Sequence, residues 1–244
     1  MVLACSAGEI NSTLSGISSA PKLTVVSNDS WTVFMDGIIV NGQNFTGYSQ
    51  YNVTNQGPTQ TLALLDTGTN LARIPSLYAN AIYSAVPGAQ FDPSLGVYNL
   101  PCDTRIDLSF VFGGLAYPVH PIDTVQALPD SKGKVNCFSG FWVSSQGEYL
   151  SEDFVLGDSF LRNVYTLYDF GSFISGTTAP FIQLLSTTNV STADSEFQTL
   201  SAQRNASITG KAHSNGGRTG ARRSTMFWTV VLSAMGLGLV MVLN

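Results

Sequence analysis

Charge is what this sequence has least of. Only 11% of its 244 residues are Asp, Glu, Lys or Arg, and they leave a net charge of −5 with an isoelectric point near 4.8. A chain so poor in lysine lacks the basic surface that nucleic acid or an anionic membrane face would need, so neither is expected as a partner. Helix-forming runs of Lys and Glu are absent, and so are internal repeats and heptads, which argues against helical bundles, solenoids and coiled coils. A secretory leader is missing too. Met1-Val2-Leu3-Ala4-Cys5 is apolar but too short for one, and it runs straight into polar Ser6-Ala7-Gly8-Glu9.

Apolar residues make up 44% of the chain and glycine is abundant at 23, a profile of short strands and turns around a real core. Six Asn-x-Ser/Thr triplets, at Asn11, Asn28, Asn44, Asn52, Asn189 and Asn205, point to a glycosylated protein of the secretory pathway. In that oxidising compartment Cys102 and Cys137 can form a disulfide, worth roughly 3–4 kcal/mol for a loop of this length. Cys5 is left over and reads as a buried thiol. Secretory features without a leader carry the expectation that the true N-terminus lies upstream of Met1.

The order of elements can be read in outline. Residues 1–30 are polar and strand-like. The aromatic and β-branched run from Trp31 to Val40 meets Asn41-Gly42, a two-residue hairpin signal. Residues 61–65 form a short apolar strand that stops at Asp66-Thr67-Gly68. Pro75-Ser76 opens a short helix with Leu77, Ala81, Ile82 and Ala85 on one side, stopped by Pro87-Gly88. Ile106, Leu108, Phe110 and Phe112 alternate along one strand face, and Gly113-Gly114 turns that strand into residues 115–120. Two more strands follow, at residues 154–157 and 164–170. His120 and His213 read as surface residues.

Three regions result. Residues 1–185 form the globular part. Residues 186–225 are rich in Ser, Thr, Asn and Gly with few large apolar residues, and read as a solvated stalk. Residues 226–244 hold an uncharged apolar run that is either a membrane helix or a glycosylphosphatidylinositol (GPI) signal. The GPI reading has small attachment candidates at Ser214, Asn215 and Gly216, then a polar spacer. A retained helix would put Arg218, Arg222 and Arg223 on the lumenal side, against the usual bias. The membrane would be reached through the GPI lipid that replaces this tail, leaving no transmembrane helix in the mature protein, or through the retained helix.

The chemistry is concentrated in Leu64-Leu65-Asp66-Thr67-Gly68-Thr69-Asn70, where an apolar strand delivers a carboxylate into a Thr-Gly turn. Alone, Asp-Thr-Gly is also what a turn after a strand looks like. Its surroundings are similar to the C-terminal lobe of pepsin-like aspartic proteases of fungal type, in the same order along the chain. Gly8-Glu9-Ile10-Asn11 resembles the strand that joins two lobes, and Trp31 to Gly42 the strand and turn before the second catalytic motif. Ile74-Pro75 with its helix follows, Cys102 and Cys137 fall where that lobe has its disulfide, and Phe154-Val155-Leu156-Gly157-Asp158-Ser159-Phe160-Leu161-Arg162 resembles the segment crossing behind the catalytic loop. Tyr165 to Gly171 resembles the closing strand.

The resemblance implies a mainly β fold with short helices, one lobe of a bilobal acid protease. It implies peptide-bond hydrolysis by water between two aspartates that share a proton, with no metal, cofactor or covalent intermediate. Asp66 would be one of the pair. Thr67 would brace the opposing loop, Gly68 would donate its amide to the dyad and Thr69 would support the carboxylate or touch substrate. Asn70 departs from the usual Ser or Thr. Leu156 and Gly157 would form the crossing, with Asp158 structural. A second Asp-Thr/Ser-Gly motif and a flap tyrosine are absent, so the paired mechanism needs a missing N-terminal lobe or a second copy. The competing expectation is a catalytically inactive, glycosylated cell-surface or wall protein that keeps the fold. An active form should cleave extended peptides or proteins between bulky apolar residues in acid, at the outer face of the plasma membrane or in the wall.

Overall fold

The computed structural model describes residues 5–7, 9–144, 152–172, 176–215 and 241–243, with side chains for all of these except 5–7, 209–215 and 241–243. β1 (Cys5–Ala7) leads to a 3-10 helix (Ser12–Ser19) and then to β2 (Leu23–Thr24), β3 (Thr32–Met35), β4 (Gly37–Val40) and β5 (Gln43–Phe45). β6 (Thr61–Leu65), β7 (Ala72–Ile74), α1 (Ser76–Tyr83), β8 (Gln90–Asp92) and β9 (Val97–Leu100) follow. Next come β10 (Leu108–Phe112), β11 (Leu115–Val119), a single 3-10 turn (Pro121–Asp123), β12 (Val125–Pro129), β13 (Val135–Ser139) and β14 (Phe141–Val143). The chain closes with β15 (Phe154–Leu156), α2 (Asp158–Leu161), β16 (Val164–Asp169), β17 (Phe181–Ser186), α3 (Val190–Asn215) and β18 (Met241–Leu243). The fold is mainly β, as the composition leads one to expect.

The strands form four small sheets, ordered β1-β18-β16-β17-β2, β11-β10-β4-β5, β12-β13-β9-β8 and β14-β7-β15-β6-β3. Local chemistry explains the hairpins. Asn41 (φ 49°) and Gly42 (φ 79°) both occupy the left-handed region that a two-residue turn between twisted strands requires, and Asn and Gly are the residues that tolerate it. In β10, Leu108, Phe110 and Phe112 are buried while Ser109 and Val111 lie nearer the surface, the period-2 pattern of a half-buried strand. Phe110 and Phe112 both pack against Phe160, with ring centroids 5.1 and 5.8 Å away, so the core reaches the short helix α2.

Several expectations are corrected. Residues 12–19 are a 3-10 helix rather than strand, because Asn11 caps it by accepting from the Thr13 amide. The helix after Pro75 buries Tyr78, Ala79, Ile82 and Tyr83, while Leu77 is exposed. Its packed face is therefore rotated from the one expected. The largest correction concerns residues 186–215, the described part of the segment 186–225 expected as a solvated stalk. There β17 runs to Ser186 and α3 docks on the lobe. Ala193, Phe197 and Ser201 are buried at a spacing of four, one per turn on one helix face. Arg105 pairs with Asp194 at 2.5 Å, and Arg204 Nη1 donates to the carbonyls of Ile122 and Val125. His120 is not a surface residue: it is buried beneath α3, its amide donating to Asn163. The side chain of His213 lies outside the described residues, as do that of Cys5, Gly216 and residues 217–240. Ser214 and Asn215 are the last two residues of α3. Among the described residues, no helix is long and apolar enough to cross a membrane.

Cys102 and Cys137 are joined in a disulfide, tying the segment after β9 to β13 across 35 residues. Replacing both with serine should lower the unfolding free energy by about 2–4 kcal/mol, read as a shift of the urea midpoint. An unchanged midpoint would show that the pairing of β9 with β13 already carries this constraint.

Candidate active site

Asp66 stands at the C-terminal end of β6, and the register around it explains why it is held firmly. β15 runs parallel to β6 with Leu156 opposite Leu65. The Asp66 amide donates to the Leu156 carbonyl at 3.0 Å, and Leu65 is tied to Trp31 on the other side by an amide–carbonyl bond of 3.1 Å. The carboxylate is then oriented by its own turn. The Gly68 amide donates to Oδ1 at 2.9 Å and the Thr69 hydroxyl donates to Oδ2 at 2.5 Å. These two donors fix the carboxylate plane, and the group remains half-exposed. Thr67, Gly68 and Asn70 are exposed around it.

The crossing segment meets this turn at Gly157. A Cβ added there would lie 1.9 Å from the Thr69 carbonyl oxygen and 2.8 Å from that of Leu71. Only a residue without a side chain lets the two backbones pass. Immediately beyond, the Asp158 amide donates to the same Thr69 carbonyl at 2.8 Å, which welds the crossing to the Asp66 turn. Asp158 itself sits in the first turn of α2.

α2 in turn leads to a buried polar group. Arg162 Nε donates to the Asp158 carbonyl, and its Nη2 pairs with Asp123 Oδ1 at 2.9 Å. Asn163 Nδ2 donates to Asp123 Oδ2 at 3.0 Å. Burial pushes the Asp123 carboxyl above the ordinary range, partly offset by Arg162. An acid with a raised folded pKa binds its proton more tightly when folded. Its contribution to stability is therefore greatest in acid and fades as pH rises above 3.8.

Two further carboxylates escaped the sequence reading. Glu152 and Asp153 are buried just before β15. Asp153 accepts from the amides of Leu62 and Gln50, and Glu152 accepts from the hydroxyls of Ser30 and Thr32. They clamp the starts of the parallel strands β15 and β6, and Glu152 also holds the first residue of the antiparallel β3. An acidic pair next to an apolar strand was the available signal, but its partners lie 91 to 122 residues away. The groups bonded to the Asp66 carboxylate are an amide and a hydroxyl, not a second acid. Among the described residues, no group of three or more His, Cys, Asp or Glu could hold a metal ion.

A family model described as eukaryotic aspartyl protease matches residues 10–178. A probable aspartic-type endopeptidase of Arthroderma benhamiae is 31% identical over 140 residues, 57% of this chain and 24% of the relative. Major aspartyl peptidase 1 of Cryptococcus neoformans is 28% identical over 57% of this chain and 28% of its own length. Embryonic pepsinogen of Gallus gallus is 33% identical over 57% of this chain and 32% of its length. The chain thus spans about a quarter to a third of these relatives.

Proposed function

The chain belongs to the eukaryotic aspartyl protease family, and on that premise we propose that it is the C-terminal lobe of an aspartic endopeptidase, supplying Asp66 as one of two catalytic carboxylates. The observation that carries this reading is the Asp66 turn: a half-exposed carboxylate at the end of a rigid strand, oriented by the Gly68 amide and the Thr69 hydroxyl. Fixing the carboxylate in advance is what a positioned acid or base needs, because reorientation during the reaction would add to the barrier.

The second carboxylate comes from an N-terminal lobe, presented to the open face of the Asp66 turn. Two such groups close together share one proton, since ionising both is costly. A water held between them adds its oxygen to the peptide carbonyl carbon. Its proton passes to the ionised carboxylate, and the protonated partner gives its proton to the carbonyl oxygen. The tetrahedral adduct breaks at the C–N bond as a proton returns to nitrogen, releasing an amine and a carboxylic acid. The lobe alone has half of this machinery and is inactive. A second copy of the chain in place of the N-terminal lobe is a less favoured source of the partner carboxylate.

The protein works in an acidic, oxidising location, in the secretory pathway or outside the cell. The disulfide and the exposed side chains of Asn28, Asn44 and Asn52 support this. The apolar tail acts as a GPI signal, in which case β18 belongs to the precursor only. Peptide hydrolysis by the assembled two-lobed protein, followed against pH, should give a bell-shaped profile in the acid range, both limbs belonging to the dyad as a pair. A profile that is flat in acid or peaks at neutral pH contradicts the proposal.

A further inference from the structure

On the far side of α2 from Asp66, the dock between α3 and the lobe leaves a cavity of about 510 Å³, within the ~300–1,000 Å³ of small-molecule clefts. Gln126, Thr192 and Glu196 line it together with His120 and Arg204, and Leu200 supplies an apolar patch. Three donor atoms at the cavity make no hydrogen bond within the protein. Arg204 Nε and Nη2 are without hydrogen-bond acceptors, and so is Nε2 of His120, a residue 9% exposed. His120 Nδ1 accepts from the Ile122 amide, which places the ring proton of the neutral side chain on Nε2. The Glu196 carboxylate lies 3.4 Å from it, outside hydrogen-bond geometry. Unsatisfied buried donors are costly, and a site that gathers three of them is short of a ligand rich in acceptors.

Asn189 stands on the rim of the same cavity, exposed, in the triplet Asn189-Val190-Ser191. Its Oδ1 accepts from both the amide and the hydroxyl of Ser191, so Nδ2 is turned away from that turn. We propose that Asn189 carries an N-linked glycan whose first sugars fold back into this cavity and cement α3 to the lobe. Sugar hydroxyls and an N-acetyl carbonyl offer the acceptors that His120 and Arg204 lack. Gln126, Thr192 and Glu196 suit the remaining hydroxyls, and Leu200 faces a sugar's apolar side. Attachment joins Asn189 Nδ2 to the anomeric carbon of N-acetylglucosamine. The donor is a polyprenyl diphosphate-linked oligosaccharide, whose anomeric C–O bond breaks, and the polyprenyl diphosphate leaves with the amide proton.

The inference rests on the secretory assignment, and its test separates the two. The full protein is made through the secretory pathway of a eukaryotic host. Glycans are then trimmed by an endoglycosidase that leaves one N-acetylglucosamine, and each site is followed by peptide mass spectrometry. In the native protein, trimming at Asn189 should be at least tenfold slower than at exposed Asn44. After denaturation the two rates should become equal. An unoccupied Asn189 beside an occupied Asn44 or Asn52 overturns this inference alone, as do equal native rates. No glycan at any triplet overturns the secretory reading along with it.

Discussion

In the assembled protein, Asp66→Asn is expected to reduce peptide hydrolysis by roughly a thousandfold while leaving the fold intact. The two halves of that statement have separate causes. Asn is nearly isosteric with Asp, so its carbonyl oxygen can still accept from the Gly68 amide, and its NH2 can donate to Thr69 Oγ1 where the carboxylate accepted. The melting temperature should therefore move by no more than a few degrees. Catalysis has no such substitute. An amide cannot accept a proton from water at a useful rate, and it cannot share one with a facing carboxylate. A variant that melts like the parent yet retains more than a tenth of the activity would show that Asp66 does not take part in proton transfer.

Gly157→Ala is expected to be the most damaging small substitution in the lobe, with a cost on the order of 4 kcal/mol or more. The methyl group would have to occupy space 1.9 Å from the Thr69 carbonyl oxygen, less than any non-bonded contact allows. The obstacle is backbone on both sides, so no side chain can swing away to relieve it. Relief requires moving β15 away from the Asp66 turn, which breaks the Asp66–Leu156 and Asp158–Thr69 bonds. Urea unfolding of the variant beside the parent measures this directly. A loss under about 1 kcal/mol would mean the crossing is looser than its geometry implies.

How far the sequence speaks for this molecule depends on how local the signal is. The strand into Asp66, the Asn41-Gly42 hairpin and the alternation of Leu108, Phe110 and Phe112 are set by neighbours in the chain, and each could be read without coordinates. α3 could not. Its docking face is three residues, Ala193, Phe197 and Ser201, spread through a polar segment, so composition averages the stripe away. His120 is buried by Asn163 and by α3, elements 43 or more residues distant, and its own neighbours carry no trace of that. Glu152 and Asp153 show only as an acidic pair before an apolar strand, and their partners are hidden for the same reason. Buried polar groups are specified by distant partners, whereas turns and strand faces are specified by adjacent ones.

The account stands or falls on whether this lobe holds half of a carboxylate pair. The most direct measurement is acid peptide hydrolysis by the purified chain over a wide concentration range, alone and then joined to an N-terminal lobe bearing the facing aspartate. The account predicts no turnover from the chain alone at any concentration and turnover on joining, lost again with Asp66→Asn. Activity of the isolated chain that is proportional to its concentration would contradict it, because a single lobe would then be catalysing without a partner carboxylate.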